Sequence, residues 1–384
     1  MHRVPSVATF RRLAQARLPR PVFDFADGGA EDESTLRANE RAFERWCLLP
    51  QPLRGAANRD LSLELFGQRL ALPFLIGPTG LAGLFWPRGE IASAQAAQRI
   101  GTVYCLSHGS VCSMEDLARG HEGLRWMQVF IYKDRGFTRE LAERAQAQRY
   151  GALILTIDNQ LLGKRERDLV NGFSIPPSFG LRQLAHYATK PRWWWSMRRE
   201  LPTLSFGNYQ RQGSPQSLAK LAGKMADLLD PAMNWNDLAW LRGIWQGPLL
   251  LKGVLHPAEA AQAARMGVDG LIVSNHGGRQ LDGAIASLDA LPGVLDAVGP
   301  SLPVLLDGGV RRGSHALKAL ALGARAVLLG RPQLWALACG GEAGVYALLD
   351  LMRQELDRSM GLCGLATLGA IREAGPLLVD QRRG

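Results

Sequence analysis

A histidine and an arginine three residues apart, His276 and Arg279, sit in the run Ser274-Asn275-His276-Gly277-Gly278-Arg279-Gln280-Leu281-Asp282-Gly283-Ala284. Imidazole takes up a proton near neutral pH, and a guanidinium grips a carboxylate through two parallel N–H donors. The pair therefore offers a base and an anion clamp. The glycines between them let the backbone turn sharply against a ligand. The apolar stretch just before, Gly270-Leu271-Ile272-Val273, reads as a buried parallel strand, so this chemistry leaves a strand's C-terminal end.

Other polar residues also close apolar runs: Ser107, Gln128, Thr156, Asp158, Lys252, Ser274 and Asp307. Lys252 is either a Schiff-base nucleophile, as in an aldolase, or a fixed positive charge beside a cofactor. Asp158 either pairs with nearby Arg165 or faces His276 and steadies its imidazolium. The turns Asp307-Gly308-Gly309-Val310-Arg311-Arg312-Gly313 and Gly330-Arg331 combine glycine backbone with arginine. That combination suits a phosphate, carried by a substrate or by a mononucleotide such as FMN.

Eight apolar runs can supply the strands that position these groups: residues 73–77, 102–107, 126–131, 152–158, 248–252, 270–275, 303–307 and 326–330. Helical patterns separate most of them, at Glu90–Ile100, Thr138–Tyr150, Pro257–Met266 and Ser314–Leu322. Strands alternating with helices predict an α/β fold, a (β/α)8 TIM barrel, with an open doubly wound sheet as the alternative. One domain is expected over residues 1–384. Within it lie an N-terminal helical cap and a hairpin (1–70), the barrel (71–162 and 246–340), a long insertion after strand 4 (163–245) and C-terminal helices (341–384). The hairpin is placed around Leu61–Ala71.

Net charge is +10, and residues 177–215 contribute +5 of it through Arg182, Lys190, Arg192, Arg198, Arg199 and Arg211 against Glu200. Five scattered cysteines lack metal-ligand spacing, so no metal site and a reducing, cytoplasmic setting are expected. The arginine-rich start is unlike a signal peptide. No apolar stretch of about 18 residues predicts a membrane span.

Ser274 to Asp282, Asp307 to Gly313, Pro78-Thr79-Gly80, Gly29-Ala30-Glu31-Asp32 and Gly163-Lys164-Arg165-Glu166 together resemble the FMN-dependent L-2-hydroxy acid oxidases and dehydrogenases. The likeness runs in order through nearly the whole chain. Residues 76–81 with Trp86-Pro87 look most like the mandelate dehydrogenase branch. The resemblance implies His276 as the base with Asp158 behind it, and Arg165 and Arg279 on the substrate carboxylate. It implies Lys252 beside the flavin N1/O2 edge. Thr79, Gly80, Ser107, Gln128, Thr156 and Ser274 would lie around the flavin ring. Asp307, Gly309, Arg311, Gly330 and Arg331 would lie at its ribityl and phosphate.

Departures bear on the substrate. Phe25 and Phe130 align with two family tyrosines that bind the substrate's carboxylate and hydroxyl, and Gly109 replaces a bulky tryptophan. The expected substrate is therefore a mandelate-like, aromatic or bulky L-2-hydroxy acid; a large, apolar or amine-bearing compound is the alternative. Trp193-Trp194-Trp195 stands among the basic residues of the insertion, with Tyr187, Phe206 and Tyr209 nearby. Aromatic and basic residues together suit an anionic membrane interface, and the resemblance gives the same stretch a membrane-binding role with access to quinone. A solvated lid is the other reading. The expectation is thus a homotetramer, peripheral on the inner face of the cytoplasmic membrane, passing electrons to quinone. Oxygen as acceptor, a Schiff-base aldolase, nucleic-acid binding and a flavoprotein scaffold whose chemistry has decayed are the competing readings.

Overall fold

The computed structural model describes residues 4–173, 189–201, 204–209, 228–373 and 377–381. Eight strands form a closed parallel barrel: β1 Phe74–Ile76, β2 Tyr104–Leu106, β3 Arg125–Val129, β4 Leu153–Thr156, β5 Leu249–Val254, β6 Gly270–Val273, β7 Val304–Asp307 and β8 Val327–Leu329. The last strand pairs with the first through Val327↔Phe74 and Leu329↔Ile76, which removes the open-sheet alternative. Alternate strand residues point to opposite faces. Leu75, Cys105, Ile154, Leu250, Ile272, Leu305 and Leu328 fill the interior around Trp126. Their neighbours along each strand, such as Phe74 and Leu153, join the larger core outside the barrel.

The N-terminal mouth is plugged by the hairpin Leu63–Leu65 and Gln68–Leu70. Its two-residue turn, Phe66-Gly67, has positive φ at both positions (52° and 72°). That is a strained choice for phenylalanine. In return the ring reaches Trp126 edge-on at 5.6 Å, and Gln68 accepts the Trp126 indole proton at 2.9 Å. Gly270 makes room, since a Cβ there would stand 2.8 Å from the Phe66 ring. With this end closed, only the C-terminal mouth is left for ligands.

Helices Gly89–Ile100, Pro257–Arg265 and Gly313–Ala321 fall where the sequence pattern puts them. The helix expected at Thr138–Tyr150 runs instead from Arg135 to Ala147, because the Asp134 carboxylate accepts from the N–H groups of Gly136 and Phe137. The expected long loop also contains helices: Glu166–Asn171, Pro191–Met197 and Trp235–Ile244, the last started by a capping box between Asn234 and Asp237. Tyr187, Arg182 and Arg211 of the expected membrane-type segment lie outside the described residues. So does the rest of 177–188, 202–203 and 210–215.

The helix Arg331–Leu362 is long and apolar enough to cross a membrane, but more than half of its apolar window is buried inside the protein. It breaks at Gly340-Gly341, where Gly341 has φ 58°, and packs on helices Gly89–Ile100 and Val7–Arg17. It is a core helix. The C-terminal region, expected to be helical, also holds a strand, Leu378–Asp380, antiparallel to Trp46–Leu48 and pinned by Arg45 on Asp380.

Candidate active site

A cavity of about 300 Å³ opens at the C-terminal mouth of the barrel. Every strand contributes to its wall, from Thr79 and Gly80 after β1 to Gly330 and Arg331 after β8. Ser107, Gly109, Gln128, Phe130, Thr156, Lys252, His276, Arg279, Asp307, Gly309 and Arg311 line it between them. Phe25 from the N-terminal helices and Arg165 from the segment after β4 complete the ring. Asp158 and Ser274 stand one layer behind, holding residues of the wall.

His276 has φ 57°, a left-handed turn directly after β6 that throws its ring across the mouth. Its Nδ1 lies 2.9 Å from Asp158 Oδ1. Gly253, with φ 101°, is what lets Asp158 in, because a Cβ there would be 2.8 Å from the carboxyl carbon. Burial works against the Asp158 charge, but His276 and Lys252 outweigh it and hold the carboxyl below its usual range. Burial pushes His276 below the ordinary histidine value and Lys252 adds to this, while Asp158 opposes it. The imidazole is therefore neutral at pH 7, and in the tautomer that donates its Nδ1–H to the Asp158 carboxylate, Nε2 is bare to receive a proton.

Two guanidiniums face this base. The Arg165 guanidinium is buried, and among the described residues its Nε has no hydrogen-bond partner and its Nη2 reaches only Gln280 Oε1, at 3.4 Å. Arg279 donates to the carbonyls of Phe25 (2.7 Å) and Gly28 (2.9 Å), the orphan acceptors at the end of helix Arg20–Asp27. Burial depresses the Arg279 pKa first, then repulsion from Arg165 and Arg331. Buried like charges that repel one another make a site for an anion. At the far end Arg331 is pulled to about 10 by burial and by Arg311. It donates to the carbonyls of Asp27, Gly28 and Gly277, while Arg311 pairs with Glu40.

Lys252 Nζ is buried at 3.0 Å from Asp307 Oδ2 and 3.1 Å from Ser274 Oγ. Burial alone would lower its pKa, yet Asp307 and Asp158 raise it above the ordinary value. A lysine held charged in this way is a fixed cation and no amine nucleophile, which removes the aldolase reading. The Ser107 hydroxyl stands 3.4 Å from Gln128 Oε1, and Thr156 Oγ1 is buried with no partner among the described residues. Two cavity residues escaped the sequence reading, His108 and Leu229, and a third, Phe206, was grouped with the aromatics of the membrane-type segment but is buried in the cavity wall. His108 was accessible in principle, since it follows Ser107 at the end of β2. The other two come from the insertion, whose path no periodicity marks.

A family model for FMN-dependent dehydrogenases matches residues 14–376 of the chain. The chain belongs to the FMN-dependent dehydrogenase family. It is an oxidoreductase acting on CH–OH, of the L-2-hydroxy acid dehydrogenase kind. An L-lactate dehydrogenase of Pectobacterium atrosepticum is 40% identical over 375 residues, covering 97% of each chain. One from Xanthomonas campestris is 42% identical over 369 residues, 96% of this chain and 95% of the relative. The monotopic membrane protein (S)-mandelate dehydrogenase superposes with a TM-score of 0.94 at 39% identity, covering 98% of this chain and all of that one. A mandelate oxidase variant with (S)-mandelic acid gives 0.83 at 34% identity, over 98% of both chains. The dehydrogenase's cavity fits FMN by its own features. Among the described residues the Thr156 hydroxyl lacks a partner, Gly80 presents bare backbone as a flat ring needs, and beside Gly330 the guanidiniums of Arg311 and Arg331 gather positive charge where a phosphate would neutralise it.

Proposed function

We propose that this enzyme oxidises an aromatic or otherwise bulky L-2-hydroxy acid to its 2-oxo acid and passes the electrons to a membrane quinone. The observation that carries the reading is a neutral His276, backed by Asp158, opposite two buried guanidiniums that repel one another. Arg165 and Arg279 hold the carboxylate. His276 Nε2 takes the substrate proton, and the Asp158 carboxylate stabilises the imidazolium that results. Thr79, Gly80, Ser107, Gln128 and Thr156 would hold the flavin ring, with Ser274 fixing Lys252 at its edge. Asp307, Gly309, Arg311, Gly330 and Arg331 would hold ribityl and phosphate. FMN, when bound there, accepts the two electrons of the oxidation.

Size and polarity of the wall favour a bulky side chain. At Gly109 a Cβ would meet only Phe206 and the Ser107 hydroxyl, both at 3.8 Å, so the glycine leaves that corner open. Phe25 stacks on Phe173 at 4.8 Å and lies under Arg279, and neither it nor Phe130 brings a hydroxyl. Those two phenylalanines also support a second reading, a large apolar or amine-bearing substrate. Anaerobic titration of the yellow holoenzyme decides between them. Bleaching by (S)-mandelate is expected; bleaching by amines and by no hydroxy acid would overturn the first reading.

Membrane contact draws support from the apolar side chains exposed on segments that leave the C-terminal ends of strands. Leu161, Leu169, Val170 and Leu281 are each more than 60% exposed, and Trp195 is 71% exposed under the Arg198 guanidinium. Trp193, by contrast, is buried and donates to the Leu84 carbonyl, tethering the short helix to the barrel. The reading places the enzyme on the inner face of the cytoplasmic membrane as a homotetramer. Flotation with anionic vesicles and sedimentation velocity test the two parts. Trp195→Glu should weaken vesicle binding, and an unchanged partition would remove Trp195 from the contact.

A further inference from the structure

His108 belongs to no role assigned so far, yet its ring forms part of the cavity wall. It stands edge-on to Phe130, ring centroids 4.2 Å apart. Its Nδ1 lies 2.8 Å from the Tyr132 hydroxyl and 2.7 Å from the Tyr209 hydroxyl, and the hydroxyls are 2.6 Å from each other. Tyr209 comes from the middle of the insertion. Asn208 clamps it there by donating to the His108 carbonyl (3.3 Å) and the Ser110 hydroxyl (2.9 Å).

The protons of this trio can be counted. If Nδ1 is bare, one hydroxyl donates to it and the second donates to the first, so both phenolic protons are used. If Nδ1 carries a proton there are three protons for the same triangle, and one phenolic O–H is left buried without an acceptor among the described residues. An orphaned donor is costly, so the tyrosine pair selects the tautomer with hydrogen on Nε2. Burial, with a smaller contribution from His276, pushes the imidazole down to about 3, so the ring stays neutral. Nε2 has no hydrogen-bond partner among the described residues. The result is an uncharged N–H donor held in the wall of the cavity that the base also lines.

The geometry points to His108 as a substrate-binding residue whose Nε2–H hydrogen-bonds the 2-oxygen of the substrate, hydroxyl before oxidation and carbonyl after it, in place of the donor that Phe130 lacks. The guanidiniums of Arg165 and Arg279 are occupied by the carboxylate, and His276 Nε2 must accept rather than donate. His108 is then the uncharged donor left in the cavity that the base lines. Tyr132 and Tyr209 act through it as positioning residues. The proposal rests on the hydroxy-acid reading.

The test uses FMN-loaded enzyme and two acids that cannot be oxidised at C2, phenylglyoxylate with the 2-oxygen and phenylacetate without it. Dissociation constants are read from perturbation of the flavin absorption. Wild type should prefer phenylglyoxylate. His108→Asn keeps a polar atom near Nδ1 but loses Nε2, and it should shrink that preference roughly five- to tenfold while phenylacetate binds as before. His108→Gln, whose amide nitrogen can sit near the Nε2 position, should retain most of the preference. An intact preference in His108→Asn, or equal weakening of both acids, overturns the proposal alone. Should His108→Asn fail to fold, the isosteric double variant Tyr132→Phe/Tyr209→Phe must lose preference, and an unchanged ratio there is equally fatal. If wild type binds neither acid, the hydroxy-acid reading falls and this inference with it.

Discussion

His276 works as a base because two neighbours pull it in opposite directions, and each pull can be measured. Burial and Lys252 lower its pKa below 6.5, while Asp158 raises it. Oxidation needs the neutral imidazole, so kcat/KM should be flat near pH 7 and fall as pH drops through a value below 6.5. In Asp158→Asn the raising influence is gone. The acid limb should move to still lower pH while the plateau falls, because the imidazolium loses its counter-charge. His276→Gln should lose roughly 10²–10⁴ in kcat, the usual worth of a positioned base. A limb that stays in place in Asp158→Asn would detach the aspartate from the base. Phe25 and Phe130 are the other residues with a readable consequence. A hydrogen bond to a charged group is worth about 1.5–3 kcal/mol. Phe25→Tyr with Phe130→Tyr should therefore raise kcat/KM for L-lactate by about tenfold or more and change that for mandelate less. At this scale the SNHGGRQLD run and the glycine turns were readable because chemistry dictates residue type. The trio of His108, Tyr132 and Tyr209 was not, since its members lie 24 and 77 residues apart.

The eight strands were readable as elements because each is a short apolar run that must be buried on both faces. The helix at Trp235–Ile244 was hidden inside what looked like one long loop, and only its Asn234–Asp237 capping box marks it. The strand at Leu378–Asp380 was hidden too, because its partner Trp46–Leu48 is more than 300 residues away. The hairpin under the barrel gives the sharpest element-scale prediction. Gly67 sits at φ 72°, so Gly67→Ala should cost about 1 kcal/mol. Gly270→Ala pushes a methyl to 2.8 Å from the Phe66 ring and should cost roughly 1–3 kcal/mol. Both are read from urea unfolding. Because this plug closes the mouth opposite the cavity, kcat of the folded variants should stay near wild type. A large loss of kcat at full flavin occupancy would mean that the two ends of the barrel are coupled.

Across the whole molecule, buried neutral histidines tie stability to pH. His108 is held at about 3 and His315 at about 4, both mainly by burial, against an ordinary 6.5. Below 6.5 the unfolded chain takes up protons at these positions that the folded chain refuses, so stability falls as pH falls. The loss should run from pH 6.5 down towards pH 4 for His315 and pH 3 for His108, and at pH 5 each histidine contributes on the order of 2 kcal/mol. Thermal melting between pH 7 and 5 measures it. In His315→Gln the slope should be shallower, and an identical slope would remove that residue from the account. Sequence by itself determined which groups meet a carboxylate, a proton and a phosphate, and that they ride on eight strand ends, because side-chain chemistry and strand periodicity are local properties. Only the tertiary structure decided that Asp158 stands on His276 and not on Arg165, that Lys252 is a caged cation and no nucleophile, and that a third group, His108, lines the same cavity as the base. Those outcomes depend on burial and on distances between residues remote in sequence, which exist only once the barrel has closed.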